Sequence, residues 1–227
     1  MDLKEKTIAS FKKYVSGDEF SQLKLPVIPK ASVLIPLLVR DGQLRLLLTV
    51  RSIHHDNVYS EIINGCVGQL KQHAGEVCFP GGKSESGDRD EVHTALREAE
   101  EEIGLPPDKV ETGLLITPVV AFIEDSFKAS PNTDEVSEVF TLPLEFFTKE
   151  ADHSGYPVPS VFGPTHSFMY TDPSTGKIHQ IWGLTAALAI TAAVLALGKK
   201  PEFEIGFNLD NPASGFKDIL NRKLSKL

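Results

Sequence analysis

The sequence predicts an α+β protein on three observations. Two apolar runs, Ser32–Arg40 and Leu44–Val50, flank Asp41-Gly42, and Asp-Gly between apolar runs is a strong short-range sign of a β-hairpin. Between Asp88 or Asp90 and Gly104 lies a segment with helix start and stop signals: an aspartate can cap the N-terminus, while glycine followed by Pro106-Pro107 ends the helix. Ile181–Leu197 is apolar for 17 residues before Gly198-Lys199-Lys200-Pro201, which reads as a buried C-terminal helix over 184–197.

In chain order, Ile8, Phe11 and Val15 recur at helical spacing, so Leu3–Val15 is expected to form a short amphipathic arm ending near Gly17. In the first hairpin, Pro36 lacks an N–H to donate, which places its strand at an edge or a bulge. Ile53–Gly68 has mixed character and no periodicity; its His54, His55 and Asp56 read as loop residues, because adjacent histidines point different ways. In the central helix, Leu96 and Ala99 suit the buried side. Val119–Ile123 and Glu138–Leu144 read as strands, with a polar loop from Asn132 to Glu138 between them. His166–Asp172 and Lys177–Trp182, joined through Pro173–Gly176, form a second hairpin candidate. Phe203–Phe207 reads as a short strand or extended segment. The expected organisation is an arm over 1–24, one domain over 25–207 and a tail over 208–227.

Composition narrows the class. The 227 residues are 41% hydrophobic and 24% charged, as in soluble globular domains, and such a chain can bury a sizeable core. A net charge of −8 without a lysine-arginine stripe argues against nucleic-acid or anionic-membrane partners. The C-terminal apolar run is at the short end for a bilayer span, so no transmembrane segment is expected. Cys66 and Cys78 are the only cysteines, and Met1–Glu5 has no apolar run that could be a secretory leader; reduced thiols are expected.

The chemistry concentrates in Arg97-Glu98-Ala99-Glu100-Glu101-Glu102. Residues four apart on a helix stack one above the other, so Glu98 and Glu102 share a face and Glu101 lies beside them. Three carboxylates there would repel one another without a cation, and Mg²⁺ takes oxygen ligands from carboxylates and substrate phosphates. Arg97 can hold a carboxylate by bidentate hydrogen bonds. Gly81-Gly82, after Pro80, allows a tight turn and close backbone approach to a ligand. His73 could face a phosphate or be a partly exposed loop residue.

Gly82…Arg97-Glu98-Ala99-x-Glu101-Glu102-x-Gly104-Leu105 resembles the Nudix box of the Nudix hydrolases, which cleave diphosphates linked to another group. Leu48-Thr49-Val50-Arg51-Ser52, followed by Gly75-Glu76-Val77-Cys78-Phe79-Pro80-Gly81-Gly82, resembles the signature of the coenzyme A diphosphatase branch, above all its peroxisomal member. The resemblance implies a Nudix fold, a mixed sheet sandwiched between helices. It implies hydrolysis of coenzyme A and acyl-coenzyme A esters to adenosine 3′,5′-bisphosphate and (acyl-)phosphopantetheine, with Mg²⁺ or Mn²⁺ held by Glu98, Glu102 and the Gly82 carbonyl. Glu101 would be a further ligand or a base, and Arg97 part of the catalytic group. Arg51 and the backbone around Gly75 would contact the coenzyme A part, with His73 and Lys83 as further substrate contacts. Glu135 is the candidate catalytic base and Glu138 the second choice. A coenzyme A binder without turnover, or a Nudix diphosphatase for another nucleotide, is the alternative.

Three departures from the pattern carry expectations. Asp88 stands where the family has a glutamate, six residues after Gly82, and Arg97 follows nine residues later rather than eight. The insertion at 53–68 and the shortened segment at 110–116 are expected to perturb the sheet. The last residues, Ser225-Lys226-Leu227, read as a peroxisomal address for an import receptor, and a monomer is expected.

Overall fold

Alternating apolar residues dictate how the main sheet is built. The computed structural model describes residues 2–12, 31–52, 75–114, 119–160 and 163–206 of the chain. Strand β1 (Ala31–Arg40) and strand β2 (Gln43–Arg51) form the first hairpin. Asp41 and Gly42 at its turn both have positive φ, 52° and 72°, the backbone that matches the twist of tightly joined strands.

A seven-stranded sheet grows from this hairpin. Its order is β3 (Val77–Cys78), β2, β1, β6 (Val119–Ile123) and β5 (Val110–Leu114), with β4 (Gly81–Lys83) also pairing β1 and β7 (Val136–Pro143) also pairing β2. Strand β6 runs parallel to β1 and the other pairs are antiparallel. The sheet is therefore mixed.

Each face is closed by helices. Leu34, Leu38, Leu47, Val119, Ala121 and Ile123 pack against Ala95, Ala99 and Ile103 of helix α2 (Glu91–Ile103). The alternate residues Ile35, Leu37, Leu46, Leu48, Val120 and Phe122 face the opposite core, which contains helix α3 (Gly183–Leu197) and Phe11 of helix α1 (Leu3–Lys12). Burial on both faces is why β1 reads as a continuous apolar run. The same period of two places Thr49 and Arg51 on the α2 side with Leu47.

The remaining strands, β8 (His153–Ser160), β9 (Gly163–Thr171) and β10 (Ile178–Trp182), form an antiparallel three-stranded sheet in the order β10-β9-β8. It packs on α3, which ends with Gly198 in the left-handed conformation at φ 62°. Among the described residues no helix is long and apolar enough to cross a membrane.

The structure bears on four expectations. Pro36 is not on an edge strand: β1 lies inside the sheet, and Pro36 sits where its partner changes from β4 (paired with 31–33) to β2 (paired with 37–40). A missing N–H is tolerated at that break in the ladder. The shortened segment still forms a strand, since Val110–Leu114 pairs with β6 through a register shift between Thr112 and Leu114. The arm, over its described residues, is a docked helix: Phe11 is 2% exposed and the Ser10 hydroxyl donates to the Leu195 carbonyl at 2.6 Å. Phe203 to Ile205 is not a strand; Phe203 stacks on His153 with ring centroids 3.6 Å apart, and the Ile205 carbonyl lies 3.3 Å from His166 Nε2. The insertion at 53–68, with Cys66, lies outside the described residues, as do His73 and Ser225, Lys226 and Leu227.

Candidate active site

Helix α2 is fixed at both ends by the residues that signalled it. Asp90, not Asp88, is the N-cap, accepting from the His93 N–H at 2.8 Å. At the other end Gly104 adopts φ 67° and its N–H bonds the Glu100 carbonyl, while the Leu105 N–H reaches back to Ala99. The last turn still leaves carbonyls to satisfy, and the loop before β7 supplies the donors: Ser130 N–H bonds Ile103 and Asn132 N–H bonds Glu102, both at 2.9 Å. The cap thus brings the loop bearing Glu135 to the end of the helix bearing Glu102.

Asp88 has a different task. Its carboxylate, 3% exposed, accepts from Arg97 Nε at 3.1 Å and Nη2 at 3.2 Å, from the Thr94 hydroxyl and from the Glu85 N–H. The Arg97 guanidinium, with these other donors, holds that carboxyl well below the usual carboxylate range. The shortened acid is therefore accommodated by the longer loop. Arg97 also donates to the Lys83 carbonyl at 3.0 Å and to Glu98 at 3.0 Å, so the guanidinium joins loop, strand β4 and helix.

The three carboxylates do not all converge. Glu101, 51% exposed, turns toward Arg97 at 2.9 Å, four residues earlier on the helix. Glu98 and Glu102 face the glycine turn instead. A Cβ on Gly82 would overlap the Glu98 carboxylate, and Gly81 is held at φ 154° against the Ser32 carbonyl and Val33. Glu102 is 6% exposed, and its buried Oε2 has no hydrogen-bond partner among the described residues. Burial, then the charges of Glu98 and Glu135, push its carboxyl up to about 8, against the opposing pull of Arg51 and of backbone hydrogen bonding from Gly81. Burial also raises Glu98, against the pull of Arg97.

The donor set suits a divalent cation. Among the described residues no three histidine, cysteine, aspartate or glutamate side chains form a ready-made cage. Mg²⁺ does not need one, because it binds through one or two carboxylates and leaves room for water and phosphates. Two partly desolvated carboxylates and one orphaned buried oxygen fit that requirement.

The other candidates fall into place around this pair. Arg51 lies close enough to Glu102 and Cys78 for its charge to lower both. Its backbone exchanges hydrogen bonds with the turn at Gly75, whose N–H bonds the Arg51 carbonyl at 3.1 Å, while Arg51 N–H bonds Glu76. Lys83 contributes its carbonyl to Arg97. Glu135 is near the two glutamates, raising both by its charge. Glu138 is directed elsewhere, to Lys177 at 2.7 Å and toward His179 at 3.5 Å. Burial raises the Cys78 thiol, consistent with an inert cysteine.

The two glycines make separable predictions. Gly81→Ala is expected to cost ~2–3 kcal/mol in urea unfolding, since its Cβ would meet backbone atoms of Ser32 and Val33 that cannot step aside. Gly82→Ala meets only the end of the Glu98 side chain, not backbone, so its melting temperature should fall less than that of Gly81→Ala while turnover falls ~10²-fold.

The profile of the NUDIX domain matches residues 29–157. The peroxisomal coenzyme A diphosphatase NUDT7 of Mus musculus is 40% identical over 218 residues, covering 87% of this chain and 84% of that protein. The mitochondrial Nudix hydrolase 15 of Arabidopsis thaliana is 38% identical over 189 residues, 77% of this chain and 61% of its own length. Among solved structures, the Ap4A hydrolase binary complex of C. elegans covers 52% of this chain and 82% of its own, at 16% identity and a TM-score of 0.38.

Proposed function

The chain belongs to the Nudix hydrolase family, and from that premise we propose that it hydrolyses the diphosphate of coenzyme A and of acyl-coenzyme A esters. The products would be adenosine 3′,5′-bisphosphate and (acyl-)phosphopantetheine. Support for the substrate comes from the likeness to a coenzyme A diphosphatase over most of both chains. The single observation that carries the chemistry is the buried oxygen of Glu102, without a partner among the described residues, beside Glu98 and the Gly81-Gly82 turn.

Glu98 and Glu102, with the Gly82 carbonyl, would hold Mg²⁺ or Mn²⁺. Such a cation, when bound, neutralises phosphate oxygens and lowers the pKa of water beside them. Arg51 adds positive charge on the same side and, in this reading, orients the diphosphate. Glu135 takes the proton of the attacking water as the bond to one phosphorus forms. The bridging phosphorus–oxygen bond then breaks, and its electron pair leaves with the departing phosphate. Arg97 touches none of the reacting atoms; it is a positioning residue that sets Glu98 and the carbonyl of Lys83. Phosphoryl transfer depends mostly on such positioning and charge stabilisation.

Action in the peroxisome as a monomer belongs to the same proposal. The mouse relative is named peroxisomal and the Arabidopsis one mitochondrial, so organelle fractionation decides the location.

The test is the purified protein incubated with coenzyme A and Mg²⁺ or Mn²⁺, with products resolved by chromatography. The expected result is equal release of the two products, abolished by chelation and competed by acyl-coenzyme A. A tenfold preference for NADH or a nucleotide sugar, or metal-independent turnover, would contradict it.

A further inference from the structure

The turn bearing Glu135 is fastened from two sides. On one side Asn132 N–H bonds the Glu102 carbonyl at 2.9 Å, and the Asn132 side-chain amide donates to Glu135 Oε1 at 3.3 Å. On the other, Ser52 spends both of its donors on the turn: its N–H bonds the Glu135 carbonyl at 2.9 Å and its hydroxyl the Thr133 carbonyl at 2.6 Å. Ser52 is 4% exposed, so its hydroxyl is not offered to a ligand.

The adjoining pairing explains why a latch belongs here. The β2–β7 register shifts between Val50 and Arg51, leaving Ser137 as the extra residue on β7. Its hydroxyl closes the irregularity by donating to the Val50 carbonyl at 3.1 Å. A bulge of this kind bends a strand and re-aims the side chains beside it. Beyond it the ladder has one more pair, Arg51 with Val136, and Ser52 supplies the next two bonds to the turn.

We propose that Ser52 is a positioning residue that locks the Glu135 turn to the strand end carrying Arg51, so that base and substrate-binding cation approach Glu102 as one unit. This rests on the reading of Glu135 as the base. It separates Ser52 from its neighbour Arg51: one builds the site and the other meets the substrate.

The experiment compares Ser52→Ala, Ser52→Thr, Glu135→Gln and the Ser52→Ala/Glu135→Gln pair, using coenzyme A with Mg²⁺, alongside amide hydrogen exchange of the same proteins. Ser52→Ala should lower kcat ~10–100-fold with KM within about twofold, because small misplacements of a reacting group are costly. Ser52→Thr, which keeps the hydroxyl, should restore most of it. In the Glu135→Gln background Ser52→Ala should add little, since the two act as one unit. Losses that multiply, an effect on KM alone, or no effect of Ser52→Ala overturn the proposal. Wild-type kcat in Glu135→Gln overturns the base reading by itself. The latch is then decided by exchange at the amides of Glu135 and Val136, which Ser52→Ala should accelerate about tenfold; unchanged exchange overturns it.

Discussion

Glu102→Gln is expected to abolish turnover while stabilising the metal-free protein at pH 8. Loss of activity should be ~10³-fold, the several kcal/mol that charge stabilisation by a bound cation supplies. The stability change has the opposite sign. In the unfolded chain this carboxyl titrates near 4.5, whereas in the fold burial raises it to about 8. Below pH 4.5 both states are protonated and nothing is lost. As pH rises from 4.5 to 8 the unfolded chain releases a proton that the folded one retains, so stability falls by up to ~1.4 kcal/mol per pH unit. Gln removes that titration. Urea unfolding with chelator should therefore show the variant more stable than wild type at pH 8 by a few kcal/mol, on the order set by the pKa shift, with the difference gone near pH 4.5. A variant less stable than wild type at pH 8 would contradict the burial argument.

Arg97→Ala should produce the largest loss of stability. It strips Asp88 of its bidentate partner, leaving only the Thr94 hydroxyl and the Glu85 N–H, and it unties Lys83 and Glu98; breaking one half of such a pair costs up to ~3–5 kcal/mol. For a chain of this size that is roughly a 6–20 °C fall in melting temperature. Arg97→Lys keeps the charge but not the fork that spans Asp88, Lys83 and Glu98, so it should recover only part of the loss. The Asp88 carboxyl is depressed in the fold, so its contribution is complete above its unfolded value of 3.8 and fades as pH falls below that. The deficit of Arg97→Ala, followed by denaturant titration, should accordingly shrink below pH 3.8; a deficit independent of pH would mean lost packing.

Elements with local signals were legible before the structure. Asp41-Gly42, the Asp90 and Gly104 caps and the apolar run ending at Gly198 each specify backbone geometry within a few residues. Glu98 and Glu102 were legible together because helical spacing alone stacks them. Glu101 lies beside Glu98, as the spacing expects, but its pairing with Arg97, four residues earlier, could not be read from the same pattern. Strand β8 carries Gly155, Pro157 and Pro159, residues that argue against a strand unless it lies at a sheet edge, which is where β8 is. Pro36 misled in the opposite direction, because a change of partner inside a sheet leaves no trace in sequence. The bonds of Ser52 and Asn132 join positions 81 and 30 residues apart, beyond any local pattern.

The most direct test of the central claim is titration calorimetry of Mn²⁺ into the purified protein at pH 7, in buffers of different ionisation enthalpy. If a cation occupies the space between Glu98 and Glu102, binding must strip the proton that burial keeps on Glu102. About one proton per ion should then be released, with affinity rising as pH approaches 8. Binding without proton release, at an affinity the same in wild type and Glu102→Gln, would show that the ion sits elsewhere.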